Sequence, residues 1–308
     1  MILCCGEALI DMIPSTSLEG QDGFVPHAGG SVFNTAIALG RLGVSTGMLA
    51  GVSRDLFGQL LVSRLHESHV DTSFVVTSDR PTTLAFVHLA DGHATYTFFD
   101  ENSAGRMVTA IDFPAVPPGV DALYFGGISL AVEPAADAFV QLMAAQSNQR
   151  AIIVDPNIRP AFIQDHARYR ARLAMIFKYA DIVKVSDEDL DWIYQEPLSQ
   201  KEKAHMILDQ GVSLVILTRG KSGAKGFLAN GDEVIAPAHL VDVVDTVGAG
   251  DTFNAGVLAN LAQSSMLTKS GIHRLSVTDV QSALHYGAKI AAVTVSRAGA
   301  NPPWLEDL

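Results

Sequence analysis

Apolar residues fall in short runs at positions 2–5, 48–52, 122–125, 151–154, 182–185 and 214–217, most of them bounded by Gly or Asp. Runs this short are not helices, and the missing polar alternation implies strands buried on both faces. The stretches between them carry helical spacing instead, as at Leu56, Leu60, Leu61 and Leu65 and again at Phe139, Leu142 and Met143. Strand runs alternating with helical stretches imply βα units and a mainly parallel sheet. No period of 20–50 residues repeats and no Ser/Gly/Pro-rich linker divides the chain, so residues 1–308 read as one α/β domain with room for a small appendage.

One stretch departs from this rhythm. Residues 83–89 and 94–99 are strand-like runs on either side of Asp91-Gly92, which predicts a hairpin around an Asp-Gly turn. A hairpin inserted between βα units does not join a parallel sheet easily. It is expected to project with residues 24–28 as a small β-layer, serving as a lid or a dimer contact.

Composition narrows the function. The 308 residues are 48% hydrophobic and 18% charged, which supplies a core and excludes general disorder. With 21 basic against 33 acidic side chains the net charge is −12, so neither nucleic acid nor an anionic membrane surface is an expected partner. An anionic ligand stays open, because backbone amides and a few cations in a cleft hold phosphate inside an acidic protein. The two cysteines, Cys4 and Cys5, are adjacent and cannot build a long-range disulfide framework or a zinc site by themselves; a reducing compartment is the natural reading. The first residues are apolar but lack a basic leader and carry Glu7 and Asp11, so they read as a buried strand rather than a signal peptide. No run of about 18 apolar residues occurs, and the expectation is a cytoplasmic protein without a membrane span.

Candidate chemistry concentrates at 245–256, Asp-Thr-Val-Gly-Ala-Gly-Asp-Thr-Phe-Asn-Ala-Gly. Beyond Asp251, residues Phe253, Val257, Leu258 and Leu261 share one helical face, which makes Gly248-Ala249-Gly250 the loop that enters a helix. Free amides there converge, small residues let a charged ligand approach, and the helix dipole adds up to ~2 kcal/mol in favourable geometry. That is an anion hole. A carboxylate at Asp251 would repel bound phosphate unless it had another task, and accepting the proton of an attacking hydroxyl is such a task. Asp and Gly at a helix start are also ordinary capping residues, so the motif alone leaves both readings open. Other motifs fail. Phe253 stands where a dinucleotide fingerprint needs its third glycine, and Val215 where a P-loop ending in Gly220-Lys221-Ser222 needs its first. Trp192 and Leu198 replace the Gly and Glu that a calcium loop starting at Asp187 requires. His66 and His69 read as a solvated helix face rather than metal ligands.

Two segments at opposite ends carry a resemblance. Residues 29–43, Gly-Gly-Ser-Val-Phe-Asn-Thr-Ala-Ile-Ala-Leu-Gly-Arg-Leu-Gly, and residues 245–256 together resemble the two signatures of the PfkB, or ribokinase-like, family of carbohydrate kinases. Gly6-Glu7-Ala8-Leu9-Ile10-Asp11, Asp155-Pro156-Asn157-Ile158-Arg159 and Thr218-Arg219-Gly220-Lys221-Ser222-Gly223 are similar to the same family, and in particular to its bacterial fructokinases. The resemblance implies a three-layer α/β/α main domain with a mainly parallel sheet, plus a small β-sheet lid from about 12–30 and 83–103. Gly29 and Gly30 would form the hinge that closes over sugar.

The same resemblance implies roles. Asp11 becomes a sugar-binding carboxylate, leaving the end of the first strand where open α/β sheets bind ligands. Asn34 brings a donor and an acceptor to sugar hydroxyls, Gly30 shares that site, and Arg159 would place a fixed cation near phosphate or substrate. Thr218, Gly220 and Gly223 correspond to the nucleotide loop, with Ser186 beside it. Asp251 corresponds to the base, the amides of Gly248, Ala249 and Gly250 to the anion hole, and Asp245 to a carboxylate that helps to hold a monovalent cation such as K⁺. Many members carry Asn-x-x-Glu, linked to magnesium through water, where this chain has Ser186-Asp187-Glu188-Asp189. Asp189, one methylene shorter, would still reach Mg²⁺ through water, with Glu188 as the alternative. The implied activity is transfer of the ATP γ-phosphate to the 6-hydroxyl of fructose, and a homodimer through the lid is a family-level expectation. Alternatives are a 2-keto-3-deoxygluconate, ribose or nucleoside kinase on the same scaffold, or a sugar- or nucleotide-binding regulator without catalysis.

Overall fold

A computed structural model describes residues 1–17, 20–90 and 93–308. Along the chain the strands are β1 (Ile2–Cys5), β2 (Leu9–Thr16), β3 (Asp22–Gly29), β4 (Thr46–Leu49), β5 (Gly51–Ser53), β6 (Val76–Ser78), β7 (Leu84–Ala90), β8 (His93–Phe99), β9 (Ala122–Gly126), β10 (Ala151–Asp155), β11 (Ile182–Ser186), β12 (Leu214–Thr218), β13 (Ala224–Leu228) and β14 (Glu233–Ala236). The helices are α1 (Ser31–Arg41), α2 (Leu56–Glu67), α3 (Ala135–Gln146), α4 (His166–Phe177), α5 (Asp187–Ile193), α6 (Gln200–Leu208), α7 (Ala249–Gln263), α8 (Lys269–Ile272) and α9 (Val277–Val295).

The main sheet has the order β14-β13-β12-β11-β10-β9-β1-β4 among the described residues. From β4 to β12 neighbouring strands are parallel, and β13 and β14 extend one edge antiparallel. Period-two alternation divides the apolar runs between two cores. Ile2, Cys4, Ala122, Tyr124, Ala151 and Ile153 face α1, α7 and α9, whereas Leu3, Cys5, Leu123, Phe125, Ile152 and Val154 face α3, α4, α5 and α6. Both faces are covered, which is why these strands show no polar alternation in the sequence. The sheet therefore lies between two helical layers, and the C-terminal ends of its parallel strands open on one edge, where such folds place ligands.

A smaller sheet of order β3-β2-β7-β8 stands off that edge. β2 pairs with β7 in parallel, while β3 and β8 are antiparallel to their neighbours. The hairpin strands expected at 83–99 are present as β7 and β8; the Asp91-Gly92 turn lies outside the described residues. One face of this sheet turns toward the main body, where Leu9, Ala85, Tyr96 and Phe98 meet Ile128 and Phe162. The other carries Phe24, Phe86 and Phe99 in edge-to-face contacts, with Phe24 and Phe99 43% and 57% exposed.

The run at 48–52 is not one strand. β1 ends at Cys5 opposite Leu49, so the chain beyond Ala50 has no neighbour in the main sheet, and β5 pairs instead with β6. Among the described residues no helix is long and apolar enough to cross a membrane.

Candidate active site

A cleft of about 420 Å³ lies between the small sheet and the strand ends. It gathers residues from every segment singled out in the sequence: Asp11, Gly30, Asn34, Arg159, Ser186, Glu188, Asp189, Thr218, Gly248, Ala249, Gly250 and Asp251 all line it.

Helix α7 enters the cleft floor. Gly248 is its N-cap with φ +77°, the left-handed region that an L-residue avoids, so glycine is required for the chain to turn into the helix. The helix starts at Ala249, two residues earlier than a loop of Gly248-Ala249-Gly250 implies, and this changes which amides of the loop are free. The Ala249 N–H already donates to the Thr246 carbonyl at 3.2 Å. Among the described residues, the amides of Gly248, Gly250 and Asp251 have no partner, and they are the free donors at this helix N-terminus. A β-carbon on Gly250 would meet only Lys184 Nζ, at 3.4 Å, which leaves the space over its amide open.

Asp251 sits in the first turn and is 7% exposed. Its Oδ2 accepts from Asn34 Nδ2 at 2.9 Å and its Oδ1 from Asn157 Nδ2 at 3.4 Å. The carboxylate is thus held between two side-chain amides instead of capping its own helix. Burial pushes its pKa to about 7; the Asn34 hydrogen bond, Lys184 and Arg159 act in the opposite direction, while Asp155 adds to the rise. A base poised near neutrality is suited to accept a hydroxyl proton.

Asp11 faces Asp251's side of the cleft, but from a different element than expected. It does not leave the end of β1; it is the third residue of β2 in the small sheet, opposite His27 and Ala85. Burial raises it to about 6, opposed by Arg159 and assisted by Glu7. A β-carbon at Gly29 would collide with the Asp11 carboxylate and turn it from its present position. Gly30 has φ +106° and caps α1, whose amides are satisfied by Glu7: Oε1 accepts from Ser31 N at 3.0 Å and Ser31 Oγ at 2.6 Å. Arg159 is exposed, and its Nη1 rests on the carbonyls of Asn157 and Ile158.

A second cavity, about 450 Å³, continues from the cleft through Thr218, Thr246, Ala249 and Gly250. Its walls are mainly apolar, with Leu240, Val243, Phe253 and Ala292, and its rim is Gly220 and Gly223, both at positive φ. A flat ring would fit against such a surface while phosphates reach the α7 amides. Ser186 caps α5 and accepts from Asp189 N at 3.0 Å. Asp189 completes that capping box, with Oδ2 toward Ser186 N and Oδ1 accepting from Ile158 N at 3.0 Å, so both its oxygens are engaged; Glu188 is exposed to the cleft. Asp245 does not line the cleft. It ties two loops, accepting from Val247 N at 3.0 Å and Gly299 N at 2.9 Å.

Sequence reasoning missed Lys184, Asp155, Asn157 and Asn254 as site residues. Asn157 lies inside a quoted motif and Asn254 inside another, three residues beyond Asp251; Lys184 breaks an otherwise apolar strand. Those were the available signals.

Comparisons with known proteins bear on this geometry. The pattern of the pfkB family of carbohydrate kinases matches residues 1–307. A fructokinase of Rhizobium leguminosarum bv. trifolii is 47% identical over 275 residues, 89% of this chain and 84% of that protein. The crystal structure of a fructokinase with bound ATP from Xylella fastidiosa superposes with a TM-score of 0.85 at 28% identity, over 97% of this chain and 93% of that one. A fructokinase from Vibrio cholerae O395, in a form with fructose, ADP and calcium ion bound, gives 0.84 at 25%, over 97% and 94%.

Proposed function

The chain belongs to the pfkB family of carbohydrate kinases, and on that premise we propose that it transfers the γ-phosphoryl group of ATP to the 6-hydroxyl of fructose. The observation that carries the reading is Asp251: a buried carboxylate held by Asn34 and Asn157 beside the free amides of an α-helix N-terminus. A proton acceptor and an anion site share one floor. Asp11 and Asn34 bind sugar hydroxyls and aim the primary hydroxyl at Asp251, which takes its proton as the oxygen attacks phosphorus. The amides of Gly248, Gly250 and Asp251 hold the charge that builds on the transferring phosphoryl oxygens. The adenine ring of ATP would lie in the second cavity, and Thr218, Gly220, Gly223 and Ser186 would border the phosphates. Arg159 supplies an exposed cation at the mouth.

Mg²⁺ fits this arrangement. No cluster of three or more metal-binding side chains occurs among the described residues. Mg²⁺ keeps several waters and is commonly held by substrate phosphates plus one or two carboxylates. Glu188, exposed to the cleft, is free to act through water; Asp189 orders the Ser186 turn and so supports it indirectly. When bound, the ion supplies positive charge to the ATP phosphates. Asp245 would help to hold a monovalent cation next to the α7 turn by fixing the 245–247 and 299 loops. The small sheet acts as a lid over sugar, and its exposed Phe24, Phe86 and Phe99 face is where two copies would pair; sedimentation at micromolar concentration tests the pairing. Both cysteines are free and buried, in keeping with a cytoplasmic enzyme.

The test is an acceptor screen with ATP and Mg²⁺, following ADP release. Fructose should be preferred; a tenfold or larger preference for 2-keto-3-deoxygluconate, ribose or a nucleoside, about 1.4 kcal/mol, would exclude it as the substrate. No turnover with any acceptor would favour the regulator.

A further inference from the structure

Beneath Asp251 lies a buried ion pair that the scheme above does not use. Lys184, in the middle of β11, donates from Nζ to Asp155 Oδ2 at 3.0 Å; the lysine is 5% exposed and the carboxylate wholly buried. The same Asp155 oxygen accepts from Asn254 Nδ2 at 2.7 Å, and Asn254 lies on α7 one turn after Asp251. Asp155 Oδ1 accepts from Asn157 N at 3.2 Å, and it is Asn157 whose side chain reaches Asp251. The pair therefore touches both supports of Asp251: the helix that carries it and the amide that faces it. The ammonium also looks out at the α7 turn, 3.4 Å from where a Gly250 β-carbon would stand, and it lines the cleft.

A buried ion pair is a weak stabiliser, since desolvating two charges offsets their attraction. Its place against the reacting groups calls for another account. We propose that Lys184 and Asp155 form a positioning pair for Asp251, in which the ammonium keeps the base ionised and Asp155 anchors the ammonium and Asn157. The inference rests on reading Asp251 as the base.

The groups facing Asp251 give the sign. α1 presents the neutral Asn34, β9 the neutral Tyr124, and the small sheet Tyr96 and, across the cleft, Asp11. The β10 end presents Asp155 and Asn157 with Arg159 beyond, and β11 presents Lys184. Lys184 and Asp155 are thus the two buried charges beside Asp251, and they act on it in opposite directions. Burial alone would discharge the lysine, but Asp155 and its other acidic neighbours outweigh that and hold it charged. Loss of the cation leaves Asp155 uncompensated and should move the acid limb of activity to higher pH. Loss of Asp155 should move it lower.

The experiment measures kcat/KM for sugar against pH in the wild type, Lys184→Met, Asp155→Asn and the double variant. Protonation of ATP is common to all four and cancels in the comparison. The limb should rise by about one pH unit in Lys184→Met, fall by a similar amount in Asp155→Asn, and return near the wild-type position when both charges are gone. A common midpoint in all four, with only kcat or thermal stability reduced, would overturn the proposal and leave the pair a structural one. If Lys184→Met does not fold, Asp155→Asn, which keeps the hydrogen-bonding shape, and the double variant, which leaves no charge unpaired, still decide. Asp251→Asn serves as the control: an active control with its limb intact removes the base reading and the pair's role together. An inactive control with unmoved limbs removes the pair alone.

Discussion

Replacing Asp251 by Asn should make the protein more stable and less active at the same time. Burial carries the carboxyl from its ordinary 3.8 to about 7, which corresponds to roughly 4 kcal/mol of cost in keeping it ionised inside the fold at alkaline pH. The sign follows from proton counts. Between the two values the folded protein binds a proton that the unfolded chain has released, so stability falls as pH rises through this window and the full penalty applies above about 7. Asn carries no such penalty. It accepts from Asn34 with its one oxygen but turns an amide toward Asn157, which returns about 1–2 kcal/mol. The net gain at pH 8 is about 2–3 kcal/mol, on the order of 5 °C in Tm for a chain of this size, and it should shrink as pH falls from about 7 toward 4, as the folded protein keeps its proton and the unfolded chain regains one. Turnover should drop by about 10²–10⁴. Thermal unfolding across pH 4–8 and steady-state kinetics on the same samples measure both. A variant that keeps its rate refutes the base; one that loses its rate without gaining stability at pH 8 refutes the buried-charge account of why the base is poised near neutrality.

Other outcomes follow from the same geometry. Asp11→Asn should raise KM for sugar by about 10- to 100-fold, the range expected for a hydrogen bond to a charged acceptor, and leave KM for ATP unchanged. Gly250→Ala and Gly248→Ala should separate chemistry from folding. The first adds a β-carbon over the anion site where a helix tolerates it, so kcat should fall at least about tenfold without loss of Tm. The second forces a side chain onto φ +77° and against Ala300, so stability should fall by about 1–2 kcal/mol. Phe162→Ala removes the edge-to-face contact with Phe98, ring centres 4.8 Å apart, that joins main body and small sheet. Amide exchange at residues 84–88 and 95–99 should quicken and KM for sugar rise by up to about tenfold; unchanged exchange would count against that contact as a latch.

The strands were legible because burial on both faces erases polar alternation, and the helix positions because one face remains apolar. Position within the small sheet was not. Asp11 follows a β1 that ends at Cys5, and nothing local says that the chain crosses through Gly6 into a different sheet before reaching it. Which amides are free around Ala249 likewise depends on where a helix begins, and a shift of two residues changes the donors. The pairs that build the floor lie beyond any sequence window: Lys184 and Asp155 are 29 residues apart, Asn254 and Asp155 are 99, and Asn34 and Asp251 are 217. Lys184 passes as part of the apolar run at 182–185, because the carboxylate that holds it lies 29 residues away.

The net charge of −12 also changes meaning once the floor is seen. Acidic groups inside the site are opposed locally, Asp155 by Lys184 and Asp251 by two amide donors, so the phosphates would meet helix amides and cations instead of the protein's average charge. Salt is then a discriminating variable. If ATP were attracted by the surface field, its KM would respond to ionic strength over a Debye length of about 10 Å at 0.1 M. With its positive charge buried beneath a helix N-terminus and screened little by solvent, KM for ATP at saturating Mg²⁺ should change by less than about threefold between 0.05 and 0.3 M of a salt whose cation is held constant in kind. A steep dependence would assign phosphate recognition to exposed Arg159 and Lys221 instead of the α7 floor.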